Sequence, residues 1–510
     1  MNDKIHYASY CMMGLCVFSS ARAQEPKKVH PQRPNIIFIL ADDMGYGDLG
    51  CYGQQKIETP NIDALARDGM RFTQFYASSP LSSPSRCCFF TGLHAGHSYI
   101  RYNDDLLDRG AVNDHWAMYF NQKLEGQRPM PKETVTFPSI LQKNGYRTGI
   151  VGKWGLGYPG SESTPNKMGF DFFYGFNCQM EAQNHYPPFL YKDSVRQYLP
   201  NRILQPGAYP VPEGVTPDST FYQQFNEGIY GHDLLYKQIE SFVETSKDKP
   251  FFLAWTTTIP HMGLQSSKKW IDYYHKKFGD EAPYLGRDGY YPAQYPHATF
   301  AAMISTLDEQ VGKLVAKLKE LGIYDNTLII FSSDNGSANK GGPDPKWFNS
   351  GGLFRADKGW GKSSLHEGGI RVPLIVEWPG HIAKGSTSDF VCAGWDFLAT
   401  FSDLVKAKAP QTDGISFLPT LLGKKQKGHD FLYWEYPGGI GWQAVRLGDW
   451  KGILRHIKQG NTKMELYDMK TDVKETNNVA DAHPDVVKKI SKIMQTSHVP
   501  TEIKLFRIEK

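Results

Sequence analysis

Asn35-Ile-Ile-Phe-Ile-Leu40 is an uninterrupted apolar run, followed at once by Ala41-Asp42-Asp43-Met44-Gly45-Tyr46-Gly47-Asp48. A strand without polar alternation has both faces covered, the condition inside an α/β sheet flanked by helices. The pattern returns far along the chain, where Thr327-Leu-Ile-Ile-Phe-Ser-Ser333 runs into Asp334-Asn335-Gly336. Further strands are expected at 146–151, leading into Gly152-Lys153-Trp154-Gly155, at 250–256, leading into Thr257-Thr258-Ile259-Pro260-His261, and at 374–378. Helical periodicity lies between them, at 60–69, 137–144, 232–246, 297–321 and 395–404. The reading is an α/β fold whose strand ends carry acids, a lysine and a histidine, and strand ends are where sites gather in open sheets.

Past residue 424 the texture changes. Short strand-like runs at 431–435, 443–447, 451–454 and 465–467, then a helical pattern at 484–495, predict a smaller antiparallel sheet with a helix. The segment 159–218 has little periodicity and much Gly, Pro, Asn and aromatic residue, and reads as an irregular functional insertion. At the other end, Lys4, an apolar stretch over 8–18 and Ala21-Arg22-Ala23 before Gln24 form the pattern of a secretory signal peptide. Its apolar part is too short to span a bilayer, and no longer apolar run follows. The expected organisation is a signal peptide at 1–23, a polar segment at 24–34, a catalytic domain at 35–424 and a C-terminal α+β subdomain at 425–510. The mature chain is expected to be exported, periplasmic or extracellular, without membrane insertion. A formal charge of +4 over 510 residues is nearly balanced and the basic residues are dispersed, which argues against a nucleic-acid partner. Cys11 and Cys16 leave with the signal; Cys51, Cys87, Cys88, Cys178 and Cys392 remain without C-x-x-C spacing, which disfavours a disulfide scaffold or thiolate metal site.

Between the first two strand-end groups lies Leu81-Ser82-Ser-Pro-Ser-Arg86-Cys-Cys-Phe-Phe-Thr91-Gly92. Pro84 suits a first helical position, with Ser82 just ahead of the helix where free N–H groups favour an anion, and Arg86 one turn on. His94 and His97, three apart and without further His or Cys, read as ordinary histidines. Lys362 lies in a Gly/Ser-rich loop before Glu367-Gly-Gly. Oxygen donors alone select a hard cation, Ca²⁺ or Mg²⁺, rather than Zn²⁺. A cation with Arg and Lys around a hydroxyl is the equipment for transfer of a tetrahedral anion. The residues therefore point to a metal-assisted sulfuryl or phosphoryl hydrolase, with sulfur and phosphorus both open.

From Asn35 through the C-terminal subdomain the chain resembles formylglycine-dependent sulfatases of the arylsulfatase type, in the alkaline phosphatase superfamily, and among them exported bacterial carbohydrate sulfatases. Ser82-Ser-Pro-Ser-Arg86 with Thr91-Gly92 is similar to the signature (Cys or Ser)-x-Pro-Ser-Arg followed by Thr-Gly. The resemblance implies an alkaline phosphatase-like α/β fold, a large mixed and mostly parallel sheet between helices with the smaller C-terminal subdomain. It implies that Ser82 is oxidised to formylglycine by an anaerobic sulfatase-maturating enzyme, and that Asp42, Asp43, Asp334 and Asn335 bind calcium together with residue 82. One hydroxyl of the hydrated aldehyde then attacks sulfur, assisted by Arg86. Lys153 and Lys362 hold sulfate oxygens, His261 protonates the leaving alcohol, and the second hydroxyl expels sulfate. Many relatives carry His where this chain has Gly155, so another group, with His94 or His97 as candidates, or a water takes that role. Arg101, Glu181, Gln183, Asn184 and His185 are expected to line the sugar subsite. The implied activity is removal of sulfate from a host or algal glycan at a chain end. The rival readings are a phosphodiesterase or phosphonate hydrolase of the same superfamily and a glycan-binding pseudoenzyme with unmodified Ser82.

Overall fold

The computed structural model describes Met1 and residues 33–509. The expected signal peptide, apart from Met1, and most of the polar segment after it lie outside the described residues. The strands in chain order are β1 (Asn35–Ala41), β2 (Met70–Phe72), β3 (Phe75–Tyr76), β4 (Arg147–Lys153), β5 (Phe172–Phe176), β6 (Phe189–Lys192), β7 (Val195–Tyr198), β8 (Phe251–Thr256), β9 (Thr327–Ser333), β10 (Leu374–Glu377), β11 (Ser386–Ser388), β12 (Cys392–Ala393), β13 (Leu432–Tyr436), β14 (Trp442–Leu447), β15 (Trp450–Arg455) and β16 (Glu465–Asp468). Ten of them form one sheet in the order β11-β2-β10-β9-β1-β8-β4-β5-β6-β7, β12 and β3 pair separately, and β13 to β16 form a four-stranded antiparallel meander.

Within the large sheet β9, β1, β8, β4 and β5 run parallel, while β10 pairs antiparallel with β9 and with β2, and β6 and β7 continue antiparallel at the other edge. β1 is wholly buried, and its side chains divide by alternation. Ile37, Ile39 and Ala41 join a core with the helix Pro296–Glu320, and Ile36, Phe38 and Leu40 join the opposite core with Phe89, Phe137 and Phe397. Parallel pairing puts the C-terminal ends of β9, β1, β8 and β4 on one edge. Asp334, Asp42, His261 and Lys153 all leave the sheet there. Gly152 is required for this: at φ 122° a Cβ would sit 2.0 Å from the Thr256 carbonyl oxygen of β8.

The small sheet belongs to the same compact unit, which begins at Pro34. One of its faces, with Trp434, Trp442, Ala444 and Ile453, packs on Tyr76, Leu81, Leu365, Ile370 and Trp395. The other, with Tyr433, Val445 and Leu466, is covered by the helix Pro484–Ser497 through Val486, Ile490 and Met494.

Two expectations are corrected. The segment 159–218 is not irregular throughout: it supplies β5, β6 and β7, which widen the sheet, and aromatic pairs such as Phe189 on Tyr191 replace the usual alternation. The helix carrying Ser82 begins earlier than Pro84 predicts. It spans Ser82–Thr91 with extended Leu81 as its N-cap, and Ser85 N–H donates to the Leu81 carbonyl at 3.0 Å. Pro84 sits at the third helical position, where its lack of an N–H still costs nothing. The helix Lys268–Phe278 has no counterpart in the sequence reading; nine of its eleven residues are basic or aromatic side chains that mask the apolar stripe.

Candidate active site

Four consecutive strand ends, one helix and one loop deliver the charged groups. Asp42 and Asp43 follow β1, with Asp43 in the left-handed region at φ 67°. That conformation costs a residue with a Cβ about 1 kcal/mol or more and is held here from the neighbouring strand end. Asp43 N–H donates to Asp334 Oδ1 at 3.2 Å, and Met44 N–H donates to Ser333 Oγ at 3.0 Å. Asn335 Nδ2 donates to Asp43 Oδ1 at 2.8 Å, which leaves the Asn335 amide oxygen turned to Ser82, whose Oγ lies 3.5 Å away. Ser82 Oγ donates to Asp42 Oδ1 at 3.0 Å.

Every residue of the helix Ser82–Thr91 is buried. Arg86 lies under Ser82, fully enclosed: Nε donates to Asp334 Oδ2 at 3.2 Å, Nη1 donates to the Lys153 carbonyl at 2.9 Å, and Nη2 stands 3.1 Å from Asp334 Oδ2 and 3.6 Å from Asp42 Oδ2. Lys153 Nζ contacts Asp42 Oδ2, Lys362 Nζ pairs with Asp43 Oδ2 at 2.7 Å, and His261 Nε2 is 3.7 Å from the same Asp43 oxygen. The Ser82-to-Lys362 set of the sequence reading is thus gathered at one place.

The electrostatics are those of charges removed from water. Burial opposes ionisation of Asp42, but Lys153, with His261, Arg86 and Lys362 behind it, holds its carboxyl well below the usual range. Burial and the Asp42 charge push Asp334 up to about 6. His261 is pushed down to about 4, first by burial and then by Lys362. Three carboxylates formally balance Arg86, Lys153 and Lys362. Asp42 Oδ2 and Arg86 Nη2 are fully buried and are met by these ion pairs alone. Three carboxylates and an amide oxygen around a hydroxyl are the donor set of a hard cation. Asp42, Asp43 and His261 offer ligand atoms within 4.8 Å of one another. These residues fit a divalent ion.

The groups open into a cavity of about 480 Å³ lined by Ser82, Asp43, His261, Lys362 and, further out, Asn103, Asp105, Gln179, Gln183, Tyr290, Lys340 and Lys358. Of the five residues expected at the sugar subsite, only Gln183 lines it. Arg101 is buried on Glu435 at 2.7 Å and on the carbonyls of Gly96, Ser98 and Val499. Glu181 is enclosed with both carboxylate oxygens unpartnered, and burial raises its pKa well above the ordinary value. Asn184 turns its side-chain oxygen to Tyr186 N–H, and His185 lies behind the site, its Nε2 on the His261 carbonyl at 2.9 Å and its Nδ1 on His232 Nε2 at 2.7 Å. Aromatic and polar residues in a loop look alike in sequence whether they face a ligand or a core.

The group beside Gly155 is Gln179, which sequence reasoning missed. Gly155 has φ 72°, and a Cβ there would lie 2.7 Å from Gln179 Nε2. That amide donates to Ser83 Oγ at 2.7 Å, and Ser83 Oγ donates to the Gly155 carbonyl at 3.1 Å. His94 and His97 are elsewhere, stacked on each other and set against Asp413 in a cavity lined also by Trp395 and Tyr433. The remaining cysteines are all free.

The family described as Sulfatase matches residues 34–422, and the family described as N-sulphoglucosamine sulphohydrolase, C-terminal, matches residues 357–499. An N-acetylgalactosamine-6-sulfatase of Rattus norvegicus is 33% identical over 439 residues, 83% of this chain and 72% of its own. An N-acetylgalactosamine-6-O-sulfatase of Bacteroides thetaiotaomicron is 28% identical over 545 residues, 93% of this chain and 95% of its own. Among solved structures, that of Ps i-CgsB superimposes with a TM-score of 0.70 at 26% identity, covering 92% of this chain and 94% of the other.

Proposed function

The chain belongs to the sulfatase family, within the alkaline phosphatase superfamily, and from that premise we propose that it removes sulfate from a sulfated carbohydrate, with a 6-sulfated N-acetylhexosamine as the first substrate to test. The observation that carries the reading is the gathering of Ser82 and Arg86 with Asp42, Asp43, Asp334, Asn335, Lys153, Lys362 and His261 at one place, from which Ser82, Asp43, His261 and Lys362 face one cavity. The choice of sugar rests on the two relatives named for N-acetylgalactosamine-6-sulfate. A closed floor beneath a cavity of about 480 Å³ suits a sugar at a chain end, because a mid-chain residue needs a groove open at both sides.

In this reading Ser82 is the precursor of formylglycine, whose hydrated aldehyde supplies a nucleophile that is regenerated after each turnover. A calcium ion held by Asp42, Asp43, Asp334, Asn335 and residue 82 would neutralise sulfate charge and favour the ionised nucleophile. The chain's own residues do the rest. Arg86, fixed by Asp334 and by the Lys153 carbonyl, keeps a positive charge under residue 82 whatever its state. Lys153 and Lys362 exchange part of their contact with Asp42 and Asp43 for sulfate oxygens, so the anion enters a site that already holds its counter-charges. His261 presents Nε2 toward the same oxygen of Asp43 that Lys362 touches, and from there carries the proton for the departing sugar oxygen. Export and a periplasmic or extracellular setting complete the proposal. Among the described residues no helix is long and apolar enough to cross a membrane.

Two measurements test it. Mass spectrometry of the peptide spanning residue 82, on protein from an anaerobic host with a maturation system, is expected to show loss of two hydrogens; a uniformly intact serine sinks the enzyme reading. Protein carrying the modification is expected to release sulfate from N-acetylgalactosamine 6-sulfate faster than phosphate from the matching phosphate ester. The opposite ranking favours a phosphohydrolase.

A further inference from the structure

The cavity lining is not uniform in charge. One part, from residues 103–105 and 179–183, presents Asn103, Asp105, Gln179 and Gln183. Asp105 is pinned through Oδ1, which accepts from Gln127 Nε2 at 2.8 Å. Another part, from residues 338–340 and 358–363, presents Lys340, Lys358 and Lys362. Lys362 is matched by Asp43. Lys340 and Lys358 are exposed, and neither forms an ion pair among the described residues.

Their two loops are tied together. Lys362 N–H donates to the Ser337 carbonyl at 2.9 Å, and Asn339 Nδ2 donates to the Asp357 carbonyl at 3.5 Å. The loop bearing Lys340 is also anchored from beneath: at Gly341, φ 81°, a Cβ would lie 2.5 Å from the Tyr290 ring and 2.8 Å from Met262. Two cations without an ion-pair partner among the described residues therefore stand on tied loops in the lining of one cavity, whose floor in the reading above binds one anion. Unmatched charge at the mouth of a low-dielectric cleft focuses the potential on whatever enters.

We propose that Lys340 and Lys358 form a second anion subsite, which recognises a further sulfate or carboxylate carried by the same sugar or its neighbour. This rests on the sulfated-sugar reading above. The Asn103–Asp105 and Gln179–Gln183 part of the lining then meets hydroxyl and amide groups of the sugar, and the asymmetry fixes which way round a doubly charged substrate lies. Neither lysine is needed to hold the transferred sulfate, so their effect is on substrate choice.

The test uses enzyme in which formylglycine at residue 82 has been verified. Three probes are compared: N-acetylgalactosamine 6-sulfate, its 4,6-disulfate, and a disaccharide joining a uronate to the 6-sulfated N-acetylgalactosamine. The wild-type kcat/KM is expected to be about tenfold higher for at least one doubly charged probe than for the singly charged one at low salt, with the preference shrinking as salt is added. In K340A/K358A that ratio falls toward one, and K340R/K358R restores it. Preference for the disulfate identifies sulfate as the second group, and preference for the uronate identifies carboxylate. Turnover of all three probes with the same ratio in wild type and K340A/K358A overturns the subsite and leaves the sulfatase reading standing. Absence of desulfation of every probe by verified enzyme overturns the sugar reading and the subsite with it.

Discussion

In the proposed mechanism His261 has to carry a proton in a place that discourages one. Burial, then Lys362, pushes it down to about 4, so the imidazole of the free protein is neutral at pH 7. A sulfate ester brings negative charge beside Lys362 and offsets the cation that disfavours the imidazolium. The descending limb of kcat with pH, which reports the complex, is therefore expected at higher pH than that of kcat/KM, which reports the free protein. Both limbs should vanish in His261→Gln; coincident limbs, or a limb that survives the substitution, remove His261 as the acid. Lys362→Ala is expected to lower kcat/KM by about 10²- to 10³-fold, the range for losing one preorganised donor to a developing charge. A loss under about fivefold would show that Lys362 serves Asp43 and not the substrate.

Among the elements, the β15 strand has an unexpected duty toward the site. Lys451 reaches through the core to Glu367 at 2.8 Å and Glu475 at 2.9 Å, and Glu367 also pairs with Arg371 at 2.8 Å and accepts from the Tyr76 hydroxyl at 3.0 Å. The cluster ties the small sheet to the turn that follows the Lys362 loop. Lys451→Met removes the cation shared by two buried carboxylates and is expected to destabilise the fold by about 3–5 kcal/mol at pH 7, read from denaturant midpoints; a cost below 1 kcal/mol would mean that water or the remaining partners compensate them. Burial works against the Glu367 charge, yet Lys451 and Arg371 hold its pKa at about 2, below the ordinary 4.5. Such a depressed acid adds stability that is complete above pH 4.5 and is lost as pH falls toward 2. Wild type should therefore lose stability over that window, and Lys451→Met should lose less. None of this was legible in sequence, where Glu367-Gly-Gly marked only a loop and β15 a small strand. What was legible were apolar runs with acids at their ends: β1, β9, Asp42, Asp43, Asp334 and Asn335 follow from the rule that a buried strand tolerates charge only where it leaves the sheet. The hydrophilic walls were not, since Arg101 and His185 satisfy their polarity inside the protein and Glu181 is enclosed there without a partner, while Gln179, Lys340 and Lys358 face the cavity. Local sequence carries no sign of which.

At the scale of the whole molecule, the proposed cation seat joins the end of β1 to the end of β9, 292 residues away along the sequence, and to the Ser82 helix, 40 residues away. A ligand that binds only the assembled form adds stability that grows with the logarithm of its concentration over Kd. Chelation is expected to lower the Tm of the whole protein, and calcium to restore it, while Asp334→Asn should blunt both effects. Equal Tm with chelator and with calcium would mean that no ion bridges these segments.

The Ser82 helix is buried along its whole length, between a strand made early and one made late. Burial of that kind sets an order of events during synthesis. Once β9 has docked beside β1, no other protein can grip the residues around Ser82 as an extended peptide. An enzyme that oxidised this serine, as the proposed function requires, would have to work on nascent or unfolded chain, and a molecule that folded first would keep the hydroxyl it was translated with.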